Sequence, residues 1–243
     1  MRPSGATSPH PQCGQVLLEA TNGRVTAWPT RPSWIGLDLA GFLGGLFAGT
    51  PVHLADDGDL AALAEADALG CDRLVYAGVG TGVGGGIILD GRPVPGPGRG
   101  SCELGHVVVD RRGDRCDCGR RGCVQAEASG PATLRRAAAA AGAVVSFEDL
   151  RAGFLARTPW AVAAIEQGCA ALAAALIGTT ELLHPEAIVI GGGFAASLPG
   201  YVEQVASELD MLARPGHCPA PVLPARLGDR SSLAGAILAA GGP

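Results

Sequence analysis

The chain contains no lysine; all 18 of its basic residues are arginine. A lysine nucleophile, a Schiff base and the lysine of a P-loop are therefore excluded as sources of its chemistry. Aromatic residues are scarce, at 4% of 243 residues, so a core has to be assembled from Ala, Val, Leu and Ile. Charge is low as well, at 17% of the sequence, with a formal net charge of −5. That balance speaks against a nucleic-acid partner, because phosphate recognition concentrates positive charge. The densest basic patch, Arg111-Arg112 with Arg120-Arg121, is offset by Asp110, Asp114 and Asp117. No apolar stretch opens the chain: Met1 to Gln15 is polar and proline-rich, and no secretory signal is expected. The apolar segment Trp160 to Leu183 carries Glu166, Gln167 and Glu181, which predicts a buried amphipathic helix and no membrane span. These absences point to a cytoplasmic location.

What is present is a 47% hydrophobic sequence in which strand and helix patterns alternate, the composition of an α/β protein. Residues 1–13 read as a disordered tail. Gln15 to Trp28 predicts two short strands around an Asn22-Gly23 turn. Further strands are predicted at Pro51 to Ala55, Arg73 to Val79, Ile87 to Leu89, Ala187 to Ile190 and Val222 to Ala225. Helices are predicted at Asp38 to Phe47, Leu60 to Leu69, Thr133 to Ala141, Phe147 to Arg157, Trp160 to Leu183, Pro199 to Ala213 and Ser232 to Ala240. Two glycine-rich segments, Gly80 to Gly86 and Gly191 to Gly193, each follow a predicted strand.

Three of the eight cysteines, Cys116, Cys118 and Cys123, fall within one eight-residue window, and His106 lies ten residues before it. One imidazole and three thiolates make a closed tetrahedral set of the kind zinc takes in structural sites. Gly119 and Gly122 permit the tight fold that convergence of the sulfurs requires. Buried or disulfide-linked cysteines are the alternative, but a cytoplasmic chain favours the metal. Such a zinc organises a loop and holds His106 in one orientation and tautomer; it does not activate water.

Glu103-Leu-Gly-His106, Cys116-Asp-Cys118-Gly-Arg-Arg-Gly-Cys123 and Ser129-Gly130 together resemble the signature of the ROK family (repressor, open reading frame, kinase). Four further segments are similar to that family: Pro51 to Asp59, Gly80 to Gly86, His184 to Gly193 and Leu233 to Ile237. The resemblance implies an actin/hexokinase-like (ribonuclease H-like) ATPase fold of two α/β domains. On that reading residues 14–57, completed by about 229–243, form the small domain, and 58–228 form the large domain with a zinc loop at 102–124. It further implies ATP-dependent phosphorylation of a hexose, an amino sugar or a related polyol, with Mg²⁺ accompanying ATP, and a homo-oligomer, dimer or tetramer.

By the same resemblance Asp57 is the general base; read alone, it is a helix cap. Asp56, Asp57, Glu103, His106 and Gln125 bind the sugar. Gly80, Thr81, Gly82, Gly84 and Gly85 meet phosphate, and Gly191, Gly192 and Gly193 lie by the adenosine. The sequence departs from the family at four places. The Asp-x-Gly-x-Thr phosphate element is absent, which leads us to expect an amino-terminally truncated member with an incomplete small domain. Asp56 replaces an Asn, Gln125 a Glu, and Cys102 a Gly. A sugar-binding homologue without catalysis, or an inactive remnant, is the alternative reading.

Overall fold

The computed structural model describes residues 17–18, 23–27, 32–96 and 100–241. The tail expected over 1–13 lies outside these, as does Asn22 of the expected turn. Contacts divide the chain into two units, 1–54 with 117–119, and 55–116 with 120–243.

In the first unit β1 (Leu17–Leu18) and β2 (Val25–Ala27) pair antiparallel, as an Asn-Gly hairpin predicts. Gly23, shortly before β2, has φ +64°, the left-handed conformation that glycine takes without a steric cost. Helix α1 (Leu39–Leu46) starts where Asp38 Oδ1 accepts from the Gly41 N–H at 2.7 Å. The strand expected at Pro51 to Ala55 does not form. A strand exists only as part of a ladder, Pro51 offers no N–H to one, and among the described residues nothing pairs with this segment.

The second unit contains α2 (Asp57–Leu69), β3 (Leu74–Val79), β4 (Val83–Leu89), β5 (Arg92–Val94), α3 (Val124–Ala128), α4 (Gly130–Ala141) and α5 (Phe147–Leu155). There follow α6 (Pro159–Leu183), β6 (Ala187–Gly191), α7 (Gly193–Ala196), α8 (Tyr201–Met211), β7 (Val222–Pro224) and α9 (Ser231–Gly241). The sheet runs β5-β4-β3-β6-β7, with β3, β6 and β7 parallel and β4 and β5 antiparallel.

Strand alternation distributes the sheet's side chains between two apolar layers. Leu74, Tyr76 and Val189 join Ala61, Ala62 and Ala66 of α2 on one face. Val75, Ala77, Val79, Ile188 and Ile190 join the α6 layer on the other. Along α6 the residues Ala161, Ile165, Cys169, Leu172 and Leu176 are fully buried at helical spacing. Its 25 residues are apolar enough to cross a bilayer, yet half of the most apolar window is buried in the protein. It is the core helix that the scattered Glu and Gln residues predicted.

Small residues take over where aromatics are missing. A Cβ on Gly86 would lie 2.4 Å from Gly58 O and 2.6 Å from Ala62 Cβ, and one on Gly58 would lie 2.3 Å from Gly85 O. The start of α2 thus sits directly on the glycines of β4, closer than any side chain permits. Helix α9 repeats the device: a Cβ on Gly235 would lie 1.9 Å from Leu60 O of α2.

Candidate active site and metal centre

The amino end of α2 presents three carboxylates in four residues. Asp56 is the cap, its Oδ1 accepting from the Gly58 N–H at 2.9 Å. The capping task that sequence alone assigned to Asp57 thus falls to its neighbour. Asp57 occupies the first helical position with an exposed side chain, held from behind by Ser232 Oγ donating to its backbone carbonyl at 2.9 Å. Its charge reaches Tyr76, a buried ring whose pKa is pushed up to about 12 by burial first and then by Glu65 and Asp57.

Across from this helix end, Leu104–His106 form a single 3₁₀ turn. Gly105 lets that turn close onto β4, since a Cβ there would lie 2.0 Å from Val83 O. Ser101 Oγ donates to Glu103 Oε1 at 2.7 Å. Partial burial raises the pKa of Asp56, with Asp57 and Glu103 adding repulsion against the lowering effect of the Gly58 N–H. Glu103 and Asp56 therefore lie near enough for their charges to act on one another.

Sequence reasoning missed Asp59, three residues past the cap and so on the same side of the first turn. It is 9% exposed. Burial first, then the charge of Asp56, push its pKa from 3.8 to about 6, although the Cys102 backbone N–H works the other way. Between pH 4 and 6 the folded chain retains a proton that the unfolded chain has released, so stability falls as pH rises through that window. Asp59→Asn should therefore stabilise the protein by about 1–3 kcal/mol at pH 8. The gain should disappear below pH 4, read as the difference in urea midpoints between the two proteins, so that any acid loss of metal cancels.

Nδ1 of His106 and the sulfurs of Cys116, Cys118 and Cys123 form a second cluster, its donor atoms within 4.8 Å of one another. Nδ1 of His106 is 3.6 Å from Cys116 Sγ. A tetrahedron with Zn–S near 2.3 Å and Zn–N near 2.0 Å would have an N···S edge of about 3.5 Å, so the donor set fits zinc in number, type and spacing. Coordination through Nδ1 turns Nε2 away from the metal as an N–H donor.

Glu127, also missed in the sequence, braces this loop. It is 7% exposed; Oε1 accepts from the Asp114 N–H at 2.7 Å, and Oε2 faces Arg136 at 3.5 Å. Gly122 adopts φ +65° against Asp110, whose carbonyl a Cβ would meet at 1.5 Å. Metal analysis should give about one zinc per chain, and a strong chelator should lower the melting temperature because an ion bound by all four ligands would reinforce the backbone bonds that close this loop. A metal-free chain that melts at the same temperature would remove zinc from the fold.

Gln125 serves the first glycine segment: its Oε1 accepts from the Val83 N–H at 3.3 Å and lies 2.9 Å from where a Gly82 Cβ would be. The turn proper is Gly80 to Gly82, closed by Gly80 N–H to Gly82 O and tied to α4 through Gly130 N–H to Gly80 O, both 2.9 Å. Gly84 and Gly85 belong to β4, which begins at Val83 and not at Ile87 as predicted, and Gly85 packs under Leu104. Gly192, at φ +88°, lies so close to Val79 that a Cβ would be 2.4 Å from its N and O. With Gly78 paired to Gly191, both glycine turns stand at the carboxyl ends of adjacent parallel strands, where α/β sheets bind ligands.

The profile of the ROK family matches residues 15–241. The chain belongs to the ROK family. It is 54% identical over 220 residues to a kanosamine kinase of Amycolatopsis mediterranei, an alignment covering 90% of this chain and 73% of that protein. It is 36% identical over 194 residues to an N-acetylmannosamine kinase of Yersinia pestis, covering 77% of this chain and 64% of that one, so it spans under two thirds of this second relative. The ROK hexokinase of Thermus thermophilus superposes with a TM-score of 0.81 at 33% identity, over 91% of this chain and 74% of the hexokinase. The fold is accordingly the actin/hexokinase-like α/β ATPase fold that the ROK resemblance implied.

Proposed function

We infer that this protein transfers the γ-phosphoryl group of ATP to a hydroxyl of a sugar. The observation that carries this reading is the meeting of Asp56 and Glu103 at the start of α2, with Asp57 relieved of capping beside them. Phosphoryl transfer requires little covalent chemistry from the protein beyond positioning, charge compensation and a base. Asp57 accepts the proton of the attacking hydroxyl as the new O–P bond forms and the bond from Pγ to the bridging oxygen of ADP breaks. Glu103 accepts from sugar hydroxyls and His106 Nε2–H donates to one, a pairing suited to a polyol. Asp56 and Gln125 complete the sugar side.

Gly80, Thr81, Gly82, Gly84 and Gly85 face phosphate and Gly191 to Gly193 the adenosine, with Mg²⁺ entering as the companion of ATP. Zinc held by His106, Cys116, Cys118 and Cys123 supplies rigidity to the His106 ring and takes no part in the transfer. The protein works in the cytoplasm as a homo-oligomer, for which Leu233, Ile237 and Leu238 offer an exposed apolar row on α9. On this reading residues 14–57 belong to the small domain, completed by about 229–243, and 58–228 to the large one.

The deciding experiment is an ATP-consumption assay over a panel of hexoses and amino sugars. Sugar-dependent release of ADP is expected. Absence of turnover with every sugar, in a chain that still binds them, would leave a sugar-binding protein without catalysis.

A further inference from the structure

The short helix α3 holds the first glycine turn at both ends. It starts at Cys123, its N-cap and one of the four metal-site donors, and its first residue, Val124, donates its N–H to Val107 O at 2.9 Å. Its second residue, Gln125, reaches the end of the turn, where Oε1 accepts from the Val83 N–H at 3.3 Å. Gly130, just past the Ser129 that ends α3 and caps α4, holds the start of the turn by donating to Gly80 O at 2.9 Å. Gly130 also sits against Phe194, which follows the second glycine segment: a Cβ there would lie 2.8 Å from the Phe194 ring and 3.0 Å from Gly80 O. Within the turn Gly80 N–H closes on Gly82 O. Glycines pack no side chains and have much conformational freedom to lose, so such a turn is fixed from outside.

We propose that Gln125 is a positioning residue for phosphoryl transfer: through its hydrogen bond to Val83 it fixes the turn from Gly80 to Gly82 in the shape that receives the phosphates of ATP. The proposal rests on the reading of that turn as the phosphate side and adds the group that shapes it. Gln125 acts on ATP through the turn and makes no contact with the nucleotide. Its oxygen is committed to Val83, while Nε2 keeps its hydrogens for the sugar, so a residue of the sugar side also sets the nucleotide side. The amide is suited to both tasks. A Glu, which the family resemblance places here, would also accept from Val83, but it would offer the sugar no donor and set a negative charge beside the phosphates. Gly82 leaves room for this arrangement, since a Cβ there would lie 2.9 Å from Gln125 Oε1.

The test measures nucleotide binding to the whole chain in the absence of any sugar, in the natural protein and in Gln125→Met. Methionine keeps the length of the side chain and removes the acceptor. MgATP, followed by calorimetry, should bind the variant about three- to tenfold more weakly, the value of one hydrogen bond. Adenosine, followed by its displacement of MgATP, has no phosphates and should bind both proteins equally. Gln125→Ala, which also lacks the acceptor, should behave as Gln125→Met does. A Gln125 that served the sugar alone would leave MgATP binding unchanged, and one that served only the fold would weaken both ligands; either result overturns the proposal. Deuterium exchange at the Val83 N–H, read by nuclear magnetic resonance, tests the contact itself. Exchange should quicken at least about threefold in Gln125→Met and stay slow in Gln125→Glu, which retains an acceptor. Equal exchange in all three proteins likewise overturns it. If the natural protein binds no MgATP, the phosphate reading of the turn fails and the proposal falls with it. Binding that the variants match removes the proposal alone.

Discussion

Asp57→Asn should lower kcat for sugar phosphorylation by about 10²- to 10⁴-fold, the range that general-base catalysis contributes. The exchange preserves the shape of the side chain and removes its ability to take a proton at neutral pH. The Michaelis constant for the sugar should change little, because the proton moves only in the transition state and, on the proposed reading, Asp56, Glu103, His106 and Gln125 share the ground-state contacts with it. Stability should fall by about 0.3–1 kcal/mol, the value of one negative charge at a helix amino terminus. The cap on Asp56 and the bond from Ser232 to the Asp57 carbonyl both survive. Coupled ADP detection with parallel thermal melts separates these effects. Equal rates in the two proteins would withdraw Asp57 as the base, and a collapsed melting temperature would show that it serves the helix instead.

Much of this site was legible because its chemistry is carried by residues close together in sequence. Glu103, His106 and the three cysteines span 21 positions, and a metal-ligand spacing survives translation into space because Gly119 and Gly122 take the left-handed turns that a loop this short needs. Helix ends follow from local chemistry as well: Gly70 closes α2 in the left-handed conformation and Ser129 caps α4. What escaped was set by distant partners. Asp59 looks like an ordinary first-turn acid until its burial and the approach of the Cys102 backbone N–H are seen. Glu127 looks like a helix-surface charge until Asp114 and Arg136 reach it. The glycines of β4 suggested a loop because glycine is a poor strand former. The strand is required by α2, whose alanines approach β4 too closely for a Cβ at Gly86. The strand expected at Pro51 failed for the converse reason, a favourable local pattern without a ladder.

Glu65→Ala should destabilise the second unit by about 3–5 kcal/mol, the cost of removing a buried acceptor from its donors and leaving a cavity. Glu65 is completely enclosed by the protein. Its two oxygens receive the Arg226 N–H at 2.8 Å, the Leu227 N–H at 3.0 Å and the Ser231 hydroxyl at 2.6 Å. These donors lie in the connection from β7 into α9, so one side chain on α2 anchors the end of the chain. Truncation takes the acceptor from two part-buried backbone N–H groups, each costing about 1–3 kcal/mol before relaxation, leaves the Ser231 hydroxyl only the Gly228 carbonyl, and opens a cavity beside them. Water entering that cavity recovers part of the loss, which is why the total falls short of the sum. For a chain of this length the melting temperature should drop by roughly 6–20 °C. Glu65→Gln keeps one carbonyl acceptor and the volume, and should lose less than half as much. Gly235→Ala tests the same contact from the other side, because its methyl would press on Leu60 O and lift α9 off α2. If Glu65→Ala melts within 2 °C of the natural protein, α9 is held by apolar packing alone and the buried carboxylate needs another explanation.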